Sequence, residues 1–321
     1  MPHHITIPNL LGRIARGKHG AEFLNQEEAK NLFSELLQND ADPLQLGAFL
    51  IAQRMKGESA EELAGFTKAA RSFCLGYQPQ RAPNSSVEIP CFAGKQRATA
   101  LHLIAAIRAS EQHKIPILIH GMEHIEGRRS AWDLLKKHSQ VQRATSIHHA
   151  HDLMQQEKIT YLDLAESCPA LYRLIQLRQK LGVRTFANSV ARLLNPLNCS
   201  GQINGVFHTP YVMRLADVNH RLQQPRSLIF MGAEGEPELY ADRQKLIAMQ
   251  TGERLDMVQY DDSNHEPYPR QTVAKLSNLD EDFARIINGI IDNREQSVLT
   301  HMQHAIQWAA GGEFPPHWSR S

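Results

Sequence analysis

Cations set among glycines and small polar residues are what phosphate recognition asks of a chain, and this sequence holds several such groups. Gly94-Lys95-Gln96-Arg97 places two cations between an apolar run and a helical stretch, where a helix N-terminus adds partial positive charge. Arg128 and Arg129 open a second helical stretch, where positive side chains oppose the macrodipole unless an anion is near. Glu126 could supply that charge locally. In the helix expected from about Pro169 to Leu181, at roughly 100° per residue, Arg178 falls with Leu171, Leu174 and Ile175. It therefore points inward or into a cleft, unless it snorkels or caps carbonyls, while Arg173 and Lys180 sit on the outer face. Arg184 and Arg192 frame Thr185, Phe186, Asn188 and Ser189, a mixture of cations, polar donors and an aromatic ring suited to a nucleotide backbone. The expected phosphate ligands are Lys95, Arg97, Arg128, Arg129, Arg178, Arg184 and Arg192.

Other candidates have plainer readings. Phe92, Trp132 and Phe186 could stack on bases, but aromatics in such surroundings more often belong to a core. His148-His149-Ala150-His151 has only Asp152 beside it at ligand spacing and reads as surface histidine. Glu234, Glu236 and Glu238 alternate like residues of an exposed segment. Cys74, Cys91, Cys168 and Cys199 form no Cys-x-x-Cys and read as reduced packing thiols. With no nucleophile elbow, Walker loop or zinc-protease motif, no catalytic residue, metal or cofactor is expected.

The elements that must carry these residues change character along the chain. From about Pro8 to Phe73 apolar residues recur at helical spacing, as in Ala29, Leu32, Phe33, Leu36 and Leu37, and Gln78 to Ser86 reads as a linker. Strand-like runs then alternate with helices: Val87 to Cys91, Thr99 to Ser110, Ile115 to His120, Arg129 to His138 and Thr160 to Leu164. Such alternation implies parallel βαβ units. Ser227 to Met231 and Leu255 to Tyr260 are further strands, and Asp280 to Asn293 and Glu295 to Ala310 are helical, with a loose tail after Gly311. The predicted fold is a small all-α N-terminal domain, residues 1–80 with helices at about 168–193 packed on it. A larger α/β domain with a mainly parallel central sheet comprises 81–167 and 194–312, followed by a tail, 313–321.

The 321 residues, 42% apolar, with 35 basic and 34 acidic side chains, suit a globular protein with a sizeable core. The near-zero net charge conceals an asymmetry: residues 1–80, 81–200 and 201–321 carry −1, +7 and −5. Between Glu166 and Asp217 lie fifty residues without a carboxylate. Either this basic stretch meets an anionic ligand, or it is a solvated face, or it pairs with the acidic C-terminal third. No apolar run is long enough to span a membrane and the start, Met1-Pro2-His3-His4, is unlike a signal peptide, so a cytoplasmic location is expected.

The order of a helical unit, a linker and a strand-loop-helix-strand ending in His120-Gly121 resembles the anthranilate phosphoribosyltransferase superfamily over about residues 8–312. In its active members Gly-Thr-Gly-Gly-Asp, Asn-x-Ser-Thr and Lys-His-Gly-Asn-Arg hold phosphoribosyl pyrophosphate and magnesium. Here the corresponding residues are Cys91-Phe92-Ala93-Gly94-Lys95, Leu101-His102-Leu103-Ile104 and Ile119-His120-Gly121-Met122-Glu123. Only Gly94, His120 and Gly121 remain, and the family's magnesium-binding Asp-Glu falls on Gly235-Glu236. Gly94-Lys95-Gln96 and Glu234-Gly235-Glu236 are closer to the divergent TrpD-like, YbiB-type branch. That resemblance implies a groove between the domains containing Gly94, His120, Gly121 and Asn188, and a homodimer formed through the helical domain. It also implies non-catalytic, largely sequence-independent binding of nucleic acid, plausibly single-stranded. A phosphoribosyl- or nucleoside-transferring enzyme with rebuilt donor recognition is the alternative.

Overall fold

The computed structural model describes residues 6–17, 19–76, 82–240, 245–260, 273–316 and 318–320. Four helices come first: α1 (Ile7–Ile14), α2 (Gln26–Leu36), α3 (Pro43–Lys56) and α4 (Ala60–Ser72). Local chemistry sets their ends. Asn25 and Ser59 form capping boxes with Glu28 and Glu62, and Asp42 caps α3 ahead of Pro43. Phe33, Phe49 and Phe66 meet in the bundle's core, and Phe186 completes the group with its ring 4.6 Å from that of Phe66. The aromatic ring of the 184–192 segment is thus a core residue, which anchors this later segment on the bundle. Arg71 strengthens the joint by donating to the carbonyls of Leu194 and Leu193 at 2.9 and 3.1 Å.

The α/β part runs β1 (Val87–Cys91), α5 (Leu101–His113), β2 (Ile117–Gly121), α6 (Ala131–His138), β3 (Gln142–Ala144), α7 (Ile147–Gln156) and β4 (Ile159–Asp163). The chain then returns to the bundle through α8 (Leu164–Ser167), α9 (Pro169–Gln176), α10 (Arg178–Leu181) and α11 (Ala187–Leu193). It re-enters the sheet with β5 (Gly201–Val206), α12 (Pro210–Arg221) and β6 (Arg226–Met231), followed by a 3-10 turn, Ala233–Gly235. β7 (Lys245–Thr251), β8 (Arg254–Tyr260), α13 (Leu276–Ile287), α14 (Asn293–Ala309) and β9 (Ser319–Arg320) complete the described elements.

The sheet order is β3-β4-β2-β1-β5-β6-β7-β8-β9. Pairing is parallel from β3 to β6 and antiparallel from β6 to β9. The chain starts at β1, builds outward on one side and resumes at β5 on the other. β1 and β5 therefore flank the topological switch point, and the crevice beyond their carboxyl ends is where an α/β sheet binds ligands. The loops after β1, β2, β5 and β6 converge there.

One expectation about the chain's course needs correction. The C-terminal residues are not loose: Trp318 is buried, its indole N–H donates to His301, and β9 extends the sheet beside β8. The linker expected at Gln78 to Ser86 lies outside the described residues up to position 81.

Candidate functional site

The loop after β1 is held from beneath by three glutamates. The backbone N–H groups of Ala93 and Gly94 both donate to Glu236 Oε1, the first at 2.6 Å. Those of Gln96 and Arg97 donate to the Glu234 carboxylate at 3.0 and 3.1 Å. Glu238 accepts from Lys95 Nζ at 2.7 Å and, on its other oxygen, lies 3.1 Å from His102 Nδ1. Burial alone would raise the Glu238 carboxyl, but Lys95 and His102 outweigh it and bring its pKa down to about 2. Successive amides of a glycine-containing loop form an anion cradle. In this protein two side-chain carboxylates occupy it.

Packing leaves little freedom in the arrangement. Gly94 has φ +70°, and a Cβ there would come within 3.0 Å of Arg128 Cβ. A Cβ on Gly232 would overlap the Glu236 carbonyl, so the strand end and the glutamate segment lie backbone against backbone. Glu234 itself takes a left-handed conformation, φ +59°, ψ 13°. Such backbone costs on the order of 1–3 kcal/mol and persists where its surroundings over-determine it, here through hydrogen bonds from Gln96 and Arg97 and ion pairs with Arg97, Arg128 and Lys95.

This geometry corrects several sequence expectations. Lys95 is not an open phosphate contact. It is 1% exposed, faces Glu238 with Glu234 3.9 Å away, and its backbone exchanges two hydrogen bonds with Arg129. Glu234, Glu236 and Glu238 do not alternate on an exposed segment, since all three are buried. Arg129 pairs with Asp280 at 2.8 Å. Arg128 and Arg129 also precede the helix instead of opening it, because α6 begins after Ser130. Arg192 donates to the carbonyls of Gly205 and Gly235, at 2.8 Å each, and its guanidinium is enclosed by protein. His120 lies within the sheet, bonded to Ser167 Oγ at 2.9 Å and 3.2 Å from Glu88, and does not line the groove. Gly121 is also internal, where a Cβ would strike the carbonyl of Cys91. Phe92 packs edge-on against His120, and Trp132 stacks on Tyr161. His148 is exposed and His149 and His151 half-buried, as a surface group should be.

Arg178 and Arg184 are different. They line a cleft of about 60 Å³ together with Phe92, His124, Glu126 and Asn188. Neither has a carboxylate ion pair among the described residues. Burial, followed by the nearby charges of Arg178, Arg128 and Arg192, brings the Arg184 guanidinium down to about 10, and it remains charged at neutral pH. Arg128 bonds to the Gly94 carbonyl at 3.0 Å with Glu234 3.5 Å away, and Arg97 lies 3.7 Å from the same glutamate. Arg178 does not share the buried face of α9, because the helix breaks at Leu177 and Arg178 begins α10, exposed. It reaches the cleft from that corner.

Two domain families match the chain: the glycosyl transferase family helical bundle domain at residues 8–74 and the glycosyl transferase family a/b domain at residues 97–312. The chain belongs to the anthranilate phosphoribosyltransferase superfamily. Among relatives, the Escherichia coli protein YbiB is 26% identical across 74% of this chain and 73% of its own length. The anthranilate phosphoribosyltransferase of Paramagnetospirillum magneticum is 28% identical across 72% of this chain and 64% of the enzyme. The crystal structure of anthranilate phosphoribosyltransferase from Thermus thermophilus superposes with a TM-score of 0.73 at 21% identity, covering 94% of this chain and 89% of that one. The superfamily's TrpD-like architecture is therefore present, with the cradle at its switch point filled by the protein's own carboxylates. Glu234 and Glu236, which do the filling, and Glu238 with its neighbour His102 were missed as site residues. The available signal was three acids at a spacing of two after a strand, in a chain whose middle third carries an excess of cations.

Proposed function

We propose that this superfamily member binds phosphate groups of single-stranded nucleic acid, without phosphoribosyl transfer, in the cleft lined by Arg178 and Arg184. One contrast carries the reading: Arg178 and Arg184 line the cleft without a carboxylate ion pair among the described residues, while the neighbouring amide cradle is saturated by Glu234 and Glu236. A phosphate entering the cleft relieves the repulsion among crowded guanidinia. One entering the amide cradle must first displace two buried carboxylates. Arginine forks suit phosphate oxygens geometrically, and Asn188 adds a neutral donor.

Each neutralised phosphate of a single strand contributes about −0.7 to the slope of log affinity against log salt. Two contacts give a slope of about −1.4 per protomer. Fluorescence anisotropy with labelled oligonucleotides of differing sequence checks this, and a salt-independent affinity would remove the electrostatic account.

Phosphoribosyl transfer is the second reading, favoured by the family match and by the yeast anthranilate phosphoribosyltransferase of similar fold, described in complex with PRPP and Mg (TM-score 0.70, 16% identity). Calorimetry with phosphoribosyl pyrophosphate and magnesium separates the two. The filled cradle leads us to expect no saturable heat, and saturable heat without oligonucleotide binding would favour the enzyme.

A further inference from the structure

We infer that Cys91, His102 and Glu236 form a structural site for a zinc-class divalent cation beneath the loop that follows β1. A donor atom from each of the three lies within 4.8 Å of the others. The residues are 1%, 1% and 2% exposed, and the space among them is too small for a water molecule, so the protein itself must supply the ligands. Cys91 Sγ and His102 Nε2 are 3.6 Å apart. Bond lengths of about 2.3 Å to sulfur and 2.05 Å to nitrogen, opened to a tetrahedral angle, place two ligands of one zinc ion about 3.5 Å apart.

The surrounding bonds orient each donor. His102 Nδ1 lies 3.1 Å from Glu238, so the ring proton belongs on that side and the Nε2 lone pair faces Cys91. A carboxylate behind the far nitrogen of a ligating histidine is the usual support of such a ligand. Glu236 Oε1 receives the amides of Ala93 and Gly94, whereas its Oε2 is buried with no hydrogen-bond partner among the described residues. A carboxylate oxygen so placed calls for a ligand. Oε2 is the oxygen left for the ion, so the protein donors number three.

On coordination the Cys91 thiol releases its proton to solvent, and thiolate plus carboxylate balance the charge of the ion beside a neutral imidazole. Sulfur and imidazole donors favour zinc or cobalt over magnesium, which takes oxygen. Cys91 ends β1, His102 lies in the first turn of α5 and Glu236 follows the 3-10 turn, so the ion ties three segments together.

The full chain, freed of metal with a chelator and titrated with cobalt chloride, is expected to gain a thiolate-to-cobalt charge-transfer band at one ion per chain. Zinc should abolish the band and magnesium should not. Cys91→Ser, with its fold checked by circular dichroism, should lack the band, whereas a triple His148→Ala, His149→Ala, His151→Ala variant should keep it. On the unaltered protein, zinc should protect Cys91 from alkylation, as read by mass spectrometry. Absence of the band in the unaltered chain, its survival in Cys91→Ser, or uptake confined to the His148 to His151 group overturns the site.

Discussion

At the scale of single residues, function and stability pull in opposite directions at Arg184. Its guanidinium is partly buried among Arg178, Arg128 and Arg192 with no carboxylate ion pair among the described residues, so its charge is a cost in the free protein. Arg184→Ala should therefore leave the melting temperature unchanged or raise it slightly, while oligonucleotide affinity falls about tenfold, the loss of one charge-assisted contact. A melting temperature several degrees lower would show that Arg184 holds the fold instead. Glu238 gives the opposite case. Its carboxyl is lowered to about 2 from an ordinary value near 4.5, because Lys95 and His102 outweigh the effect of burial. A depressed carboxyl contributes stability that is complete above the unfolded value and is lost as pH falls toward the folded one. The structure should accordingly lose on the order of a few kcal/mol between about pH 4.5 and pH 2. Glu238→Gln should flatten that part of the acid-unfolding profile, followed by urea midpoints at each pH.

At the scale of elements, the loop after β1 and the glutamate segment after β6 behave as one clamp, and Lys95 is its internal cation. Lys95→Met leaves Glu238 buried beside a neutral side chain. Removing one member of a buried pair costs about 3–5 kcal/mol, so this variant should be strongly destabilised by urea denaturation, with the salt slope of oligonucleotide binding unchanged where it remains folded. A normal denaturation midpoint combined with a shallower salt slope would return Lys95 to the binding surface. The sequence hid this because Lys95 and Glu238 are 143 positions apart and burial is not a local property. Other elements were legible for physical reasons. β1 and β2 are apolar runs between breakers, and α2 and α3 carry caps and apolar faces. β5, Gly-Gln-Ile-Asn-Gly-Val, was not legible. Its buried amides bond to Glu88, Asn219 and one another, and its glycines accommodate the backbones of Ala309 and Glu236. No propensity rule finds a strand of that composition. α7 was not expected as a helix, although Ile147, Ala150, Leu153 and Met154 fall at helical spacing.

At the scale of the whole molecule, the charge asymmetry is resolved in part within the chain. Lys95, Arg97, Arg128 and Arg129, from the basic middle third, meet Glu234, Glu238 and Asp280, from the acidic C-terminal third. What remains for a ligand is a small cationic cleft, and a single small cleft holds a polyanion weakly. A homodimer would double it. The helical bundle offers a face for this: Phe23, Leu44 and Met55 are 57%, 81% and 81% exposed around an apolar groove of about 970 Å³ between α1 and α3. Exposed apolar surface on this scale marks an interaction site, and a two-fold pair buries the same patch on both copies. We propose that the protein pairs through this face. Leu44→Asp with Met55→Asp should shift the chain from dimer to monomer in sedimentation or light scattering, with the fold intact because both side chains already stand in solvent. If the two clefts act together, a strand long enough to reach both gains avidity of about a hundredfold or more over a short one. The double variant should lose that gain while binding short oligonucleotides normally. Equal affinity of the dimer for long and short strands would mean that the clefts act alone.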